Sequence, residues 1–311
     1  MKREQEILLE VIRSALGDKK SPDSLMELSV EECRKVMDYA RKQDMFPFLQ
    51  YFDSFTKGEC RDYFFKTILS RISADMEQER ELRILLDVFE QNGIDCIPLK
   101  GSVTRWMYPA AELRTMGDLD ILYRREQTGT LRKVMEQLGY EYKGEAAKHD
   151  KYKKPGVIVE MHKELLKSES VGYEYLENIW ERAQREEGRK HIWQMSLEDH
   201  YIFTLCHLLE HFIDGGIGIR MVLDIYVLSQ QPGWKKEDIT KKLKDMGVDE
   251  FEKKIRTLSE IWFGERRETD REWAETYRDL AEYIVEGGFM EMRITKGRII
   301  HGVIVPVLGI C

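Results

Sequence analysis

The tract Gly117-Asp118-Leu119-Asp120-Ile121-Leu122 limits the possible folds more than any other part of the sequence. Side chains alternate across a β-strand, so Asp118 and Asp120 project from one face while Leu119 and Ile121 enter the layer behind it. The same rule places Glu160 and His162 together on one face of the later tract Val157-Ile158-Val159-Glu160-Met161-His162, with Val159 and Met161 on the other. If these two strands are neighbours, three carboxylates meet on one side of a sheet. Upstream, Lys100-Gly101-Ser102 reads as a glycine turn leading into a short helix.

Three carboxylates without compensation repel one another, and neighbouring like charges raise their pKa values and oppose folding. A divalent cation resolves that conflict. Mg²⁺, or Mn²⁺ in its place, takes oxygen ligands and keeps waters and substrate phosphates in its shell, which suits a half-open carboxylate cluster. Two such ions about 3.5–4 Å apart serve the attacking and the leaving oxygen of a phosphoryl transfer. On this reading Asp118, Asp120 and Glu160 are the candidate catalytic and metal-binding residues. Gly101 permits a tight turn, Ser102 offers a hydroxyl and the first helical amides, and Lys100 and Arg114 balance further phosphate charge.

The periodicity of the chain frames this segment. From Glu4 to about Glu90 apolar residues recur at helical spacing, as in Ile7, Leu8, Val11, Ile12 and Leu16, with breaks at 17–22 and near Lys57-Gly58. Asn92-Gly93 closes the last of these helices. The pattern predicts a short strand over Ile94–Leu99, with Pro98 near an edge, two helical turns over Ser102–Tyr108, a strand over Leu119–Tyr123 and a helix over Glu126–Leu138. Two or three strands follow between Tyr140 and His162. Beyond Glu164 helical spacing returns, over Leu197–Glu210, Gly218–Leu228, Lys236–Met246, Phe251–Phe263 and Arg271–Val285, and Gln184–Lys190 reads as charged surface or linker. The expected class is α+β: a helical region over 1–90, a mixed-sheet core over 91–166 and a second helical region over 167–311.

Composition narrows the partners. The net charge of −8, from 49 basic and 57 acidic side chains, argues against an extended nucleic acid. Cys33, Cys60, Cys96, Cys206 and Cys311 form no CxxC pair, and their odd number suits reduced thiols in a cytoplasmic protein. The start Met1-Lys2-Arg3-Glu4 has no apolar core of signal-peptide type. The apolar run Ile299–Cys311 falls short of the roughly 20 residues of a spanning helix and contains histidine and proline, so packing against the body is expected rather than membrane contact.

Two further tracts carry chemistry. His207-Leu208-Leu209-Glu210-His211 sets two histidines one helical turn apart and matches the HxxEH pattern of zinc peptidases, with Glu282 or Glu286 as a third ligand on spacing alone. The plainer reading makes them helix residues bonded to acids such as Asp214 or Asp224. Lys148-His149-Asp150-Lys151-Tyr152-Lys153-Lys154 reads as a strand guarded from edge pairing by its lysines, or else as a basic wall for triphosphate.

Taken together, Leu99-Lys100-Gly101, Tyr108-Pro109, Arg114, Gly117-Asp118-Leu119-Asp120 and Val159-Glu160-Met161-His162 resemble the uncharacterised nucleotidyltransferase family of the polymerase-β-like superfamily. The likeness covers roughly residues 94–165 and continues more weakly through His207, His211, Arg220 and Asp224, which with His162 are candidates for the cleft. It implies a polymerase-β-like mixed sheet flanked by the helical regions, and a cleft where the sheet faces the C-terminal helices. Asp118 and Asp120 would hold both metals, Glu160 would hold the catalytic metal or help deprotonate the acceptor, and Gly101 and Ser102 would bind triphosphate. This chain departs from the pattern in having Lys100 where a double glycine is usual and Glu160 where Asp is commoner. The implied reaction is transfer of a nucleoside monophosphate, most simply AMP from ATP, to an unidentified acceptor with release of pyrophosphate. The alternative is a regulatory or antitoxin-like module that binds nucleotide without chemistry.

Overall fold

A computed structural model of the 311-residue chain describes residues 1–17, 22, 25, 28–146, 148–214, 216–264 and 271–286. The apolar run Ile299–Cys311 lies outside the described residues, as do residues 18–21 of the break after Leu16. The chain divides into two compact units, one made of residues 1–69 and 207–311 and the other of residues 70–206.

The first unit begins with α1 (Arg3–Leu16), α2 (Val30–Lys42) and the short α3 (Asp53–Thr56). Ile7, Leu8, Val11, Ile12 and Ala15 of α1 are buried, as their helical spacing predicts. A reciprocal cap starts α2: the Ser29 hydroxyl accepts from the Glu32 amide at 3.3 Å, and the Glu32 carboxylate accepts from the Ser29 amide at 3.0 Å. The long helix α4 (Arg61–Gln91) contains the division between the units. It ends where predicted: Gly93 adopts φ +67° and the Ile94 amide donates to the Phe89 carbonyl at 2.9 Å.

The second unit holds the sheet. Its elements are β1 (Cys96–Pro98), α5 (Gly101–Thr104), β2 (Leu119–Tyr123), α6 (Thr128–Gln137), β3 (Glu141–Ala146), β4 (His149–Lys154) and β5 (Val157–His162). The strand order is β1-β2-β5-β4-β3, with β2 and β5 parallel and every other neighbouring pair antiparallel. This is the mixed sheet of the expected α+β class. Pro98 falls on an edge strand, where a missing amide hydrogen costs no ladder bond.

One face of the sheet is the core. Leu119, Ile121 and Tyr123 of β2 and Val157, Val159 and Met161 of β5 are buried with Leu82, Leu85 and Phe89 of α4 and Leu131, Val134 and Met135 of α6. Each such side chain contributes about 1.5–3 kcal/mol by leaving water. Strand alternation therefore commits Asp120, Glu160 and His162 to the opposite face.

After β5 come α7 (Tyr173–Glu177), α8 (Ile179–Arg182) and a two-stranded ribbon of β6 (Gln184–Arg185) and β7 (Trp193–Gln194). The charged stretch expected as surface or linker is exposed but is no linker. Arg189 pairs with Asp87 at 2.6 Å, and the amides of Lys190 and His191 donate to the Glu90 carboxylate at 2.8 and 2.9 Å, fastening the ribbon to α4. Helix α9 (Leu197–Asp214) contains the second division.

The first unit then resumes with α10 (Ile219–Ser229), α11 (Lys236–Asp245), α12 (Asp249–Phe263) and α13 (Arg271–Glu286), matching the predicted helices to within a few residues. Its two stretches of sequence are bonded together. Arg13 donates to the carbonyls of Ile261 and Trp262, Tyr39 donates to that of Val285 at 2.6 Å, and the Ile219 amide donates to Gln43 at 3.0 Å. Among the described residues no helix is long and apolar enough to cross a membrane.

Candidate active site

Parallel pairing of β2 with β5 sets Asp120 opposite Glu160 and Leu122 opposite His162. Asp120 and Glu160 are thus side by side on the outer face, as the alternation of each strand requires. Asp118 precedes β2 by one residue and has the same parity. The three acids act on one cation, the ammonium of Lys100, whose Nζ is 2.7 Å from Asp120 Oδ1. Burial works against the charge of Lys100, yet Asp120 above all, then Asp118 and Glu160, hold its pKa above the ordinary lysine value. Burial also works against the Asp120 charge, but Lys100 and His162 outweigh it and keep the carboxyl far below the usual carboxylate range.

The acids are flanked by two imidazoles and a second lysine. His162 Nε2 is 2.7 Å from Asp120 Oδ1 and 4.0 Å from Glu160 Oε2. His149 Nε2 is 3.5 Å from the same Glu160 oxygen, while Glu160 Oε1 accepts from Lys151 Nζ at 3.2 Å. Burial first, against the pull of the acids, sets the pKa of both imidazoles below that of ordinary histidine.

Sequence reasoning missed His149, because the lysine-rich strand was expected at an edge. Strand β4 instead lies between β5 and β3, which corrects that expectation. Its antiparallel register sets His149 opposite His162 and Lys151 opposite Glu160, so its lysines do not serve edge protection and Lys151 belongs to the acid face. The signal was present in the short Pro155-Gly156 connection, which obliges β4 and β5 to pair.

The glycine turn has an unexpected occupant. Lys100 itself adopts φ +49° and ψ −125°, a conformation that only glycine reaches without strain. Gly101 sits in a tight place: a Cβ there would lie 3.1 Å from Nη1 of the buried Arg114 and 3.2 Å from Met116 Cγ, so a larger residue would displace those side chains by a few tenths of an ångström. Arg114 is therefore brought against the turn. The Ser102, Val103 and Thr104 amides already donate to the carbonyls of Leu99 and Lys100. The buried Ser102 hydroxyl has no hydrogen-bond partner among the described residues, so it, rather than a row of amides, is the donor left over.

Helix α4 braces this loop. Asp75 pairs with the buried Arg105 at 2.6 Å and accepts from the Met116 amide at 3.2 Å, and Gln78 donates to the Gly117 carbonyl at 3.0 Å. Behind α5, Thr104 Oγ1 meets the buried His200 Nε2 at 2.9 Å, a support that no sequence motif announced.

His207, His211, Arg220 and Asp224 belong to the other unit. His207 and His211 meet through their Nε2 atoms at 3.1 Å, Glu210 is 3.5 Å from His207, and Arg220 pairs with Asp44 at 3.2 Å. Among the described residues, the one group of three or more histidine, cysteine or acidic donors spaced for a metal is His149, Glu160 and His162. Neither His207, Glu210 and His211 nor Asp118, Asp120 and Glu160 form such a group among the described residues.

The glycine turn, the mixed sheet and the acids paired across parallel strands all fall within the residues that one family profile covers. The chain belongs to the uncharacterised nucleotidyltransferase family, whose sequence profile matches residues 33–264. Nucleotidyl transfer is its general class of reaction. Among solved structures, the antibiotic-resistance factor ANT(2'')-Ia is similar with a TM-score of 0.40 and 10% identity, over 67% of this chain and 97% of that one. So distant a likeness bears on neither substrate nor site. No curated protein matches in sequence.

Proposed function

We propose that the chain is a metal-dependent nucleotidyltransferase that moves a nucleoside monophosphate, AMP from ATP in the simplest case, onto a hydroxyl or phosphate acceptor and releases pyrophosphate. The observation that carries this reading is the Lys100 ammonium, held charged by Asp120, Asp118 and Glu160. Asp120 pairs with the Lys100 ammonium and Asp118 and Glu160 act on the same charge, so we infer that the three would hold Mg²⁺ or Mn²⁺ once drawn together on the ion. Bound by Asp118, Asp120 and Glu160, such an ion supplies positive charge to the phosphate oxygens.

The remaining work falls to side chains. The Ser102 hydroxyl donates to a triphosphate oxygen. Lys100, once its carboxylate is taken up elsewhere, turns its ammonium to phosphate, and Lys151 follows on leaving Glu160. Arg114 supports the turn from beneath. Rate enhancement then comes from positioning and from fixed charge rather than from covalent chemistry. A cytoplasmic location belongs to the same proposal, supported by buried thiols at Cys33, Cys60 and Cys96 that form no disulfide.

The test is pyrophosphate release from each of the four nucleoside triphosphates with Mg²⁺ or Mn²⁺, with and without cell extract as a source of acceptor. Asp118→Asn removes a charge and little volume, and is expected to lower turnover by about 10²-fold or more with unchanged circular dichroism. Retained turnover in that variant would refute the assignment. The Lys100–Asp120 pair also favours a second reading, in which the ammonium permanently replaces the metal and the module binds nucleotide without chemistry. Tight nucleotide binding with no pyrophosphate under any condition would decide for it.

A further inference from the structure

His149, Glu160 and His162 each offer a donor atom within 4.8 Å of the other two. They share a face for a simple reason. Glu160 and His162 are two residues apart on β5, and His149 is the cross-strand partner of His162 on β4. Both strands are interior to the sheet, so the donors stand on rigid elements.

The two oxygens of Glu160 are used differently. Oε1 is engaged by Lys151, whereas Oε2 faces both imidazoles, at 3.5 Å from His149 Nε2 and 4.0 Å from His162 Nε2. Two donors on one tetrahedral zinc ion lie about 3.3 Å apart, so modest side-chain adjustment brings these atoms to a common centre. His162 Nε2 also meets Asp120 Oδ1 at 2.7 Å, a contact that a bound ion would replace, and the second nitrogen of each ring is left over. The Nδ1 atoms of His149 and His162 have no partner among the described residues, although His162 is only 1% exposed.

This donor set differs from the all-oxygen cluster of Asp118, Asp120 and Glu160. Imidazole nitrogen suits Zn²⁺, Co²⁺, Ni²⁺ and Cu²⁺, while Mg²⁺ takes oxygen. We propose that His149, Glu160 and His162 form a binding site for a first-row transition-metal ion of the zinc class, with the Asp120 carboxylate as its neighbour. The site shares Glu160 with the nucleotidyl-transfer reading but does not depend on turnover, so the two fail separately.

The experiment titrates chelator-treated full-length protein with Co²⁺ and follows visible d–d absorption. One equivalent is expected to bind, to be displaced by Zn²⁺ and to resist millimolar Mg²⁺. His149→Ala and the milder His149→Gln should each weaken binding by more than about 10-fold, the least that loss even of an outer-shell partner costs such sites, with unchanged circular dichroism. The double variant His207→Ala/His211→Ala should bind Co²⁺ as the parent does. Absence of Co²⁺ absorption in the parent, full affinity in both His149 variants, loss of binding in the His207/His211 double variant, or equal competition by Mg²⁺ would each overturn the proposal.

Discussion

Lys100 holds two demands that conflict at one residue. Its ammonium compensates the buried Asp120, and its backbone occupies glycine territory at φ +49°. A side chain held there costs about 1–3 kcal/mol, which persists because the surrounding contacts fix it. Sequence comparison of motifs exposed the anomaly as lysine in place of a second glycine, but it could not show that the lysine keeps the glycine conformation. Both Lys100→Ala and Lys100→Gly leave Asp120 without its main partner, so both should lose stability, by about 3–5 kcal/mol for a buried pair broken on one side. Glycine alone relieves the strain. Urea unfolding should therefore find Lys100→Gly more stable than Lys100→Ala by about 1 kcal/mol or more. Equal midpoints would mean that the turn is not strained in solution.

At the scale of elements, the strand Leu119–Tyr123 and a run of two or three strands up to His162 were legible because alternation marks buried and exposed faces without any partner. Strand order was not. Periodicity says which side chains share a face of one strand, whereas the parallel pairing of β5 with β2 is long-range and leaves no such mark; the β4–β5 pairing that brings His149 and Lys151 to Glu160 is local and was signalled only by the short Pro155-Gly156 turn. Lys151→Glu tests the consequence, since a basic contribution to phosphate binding from an interior strand predicts a higher nucleotide Kd, by about 5-fold or ~1 kcal/mol. Isothermal titration with a triphosphate and Mg²⁺ measures it, and an unchanged Kd removes Lys151 from the site.

The small ribbon offers a test by pH. Asp95, just before β1, accepts from Arg124 at 3.0 Å and from the Trp193 indole at 3.2 Å, and lies 2.8 Å from His191 Nδ1. Burial works to raise its pKa, but His191, Trp193 and Arg124 outweigh it and hold the carboxyl below the ordinary value. A depressed folded pKa means stability that is present above the unfolded value of about 3.9 and lost as pH falls through the folded one. Asp95→Asn removes that dependence, so its urea midpoint should fall less steeply than the parent's between about pH 5 and pH 3. Parallel curves would show that Asp95 contributes no proton linkage.

At the scale of the molecule, the two units differ in how the chain builds them. The unit with the acids is one continuous stretch, 70–206, with its own core between the sheet and helices α4 and α6. The other joins 1–69 to 207–311, and its bonds run between the two ends of the chain, from Arg13 to Trp262 and from Gln43 to Ile219. Helical periodicity alone read these ends as two separate regions, because it carries no record of contacts across two hundred residues of sequence. Foldability should follow continuity. A fragment of residues 61–214, which keeps α4 and α9 whole, contains every strand and every pairing of the sheet, so it is expected to unfold in urea as one cooperative transition. The fragment 1–69 retains α1 and α2 but lacks α10 and α12, against which its apolar faces and the Arg13 and Gln43 side chains are satisfied, and should show no such transition. The two denaturation curves measure this, and a cooperative 1–69 beside a non-cooperative 61–214 would reverse the assignment of which part of the chain stands by itself.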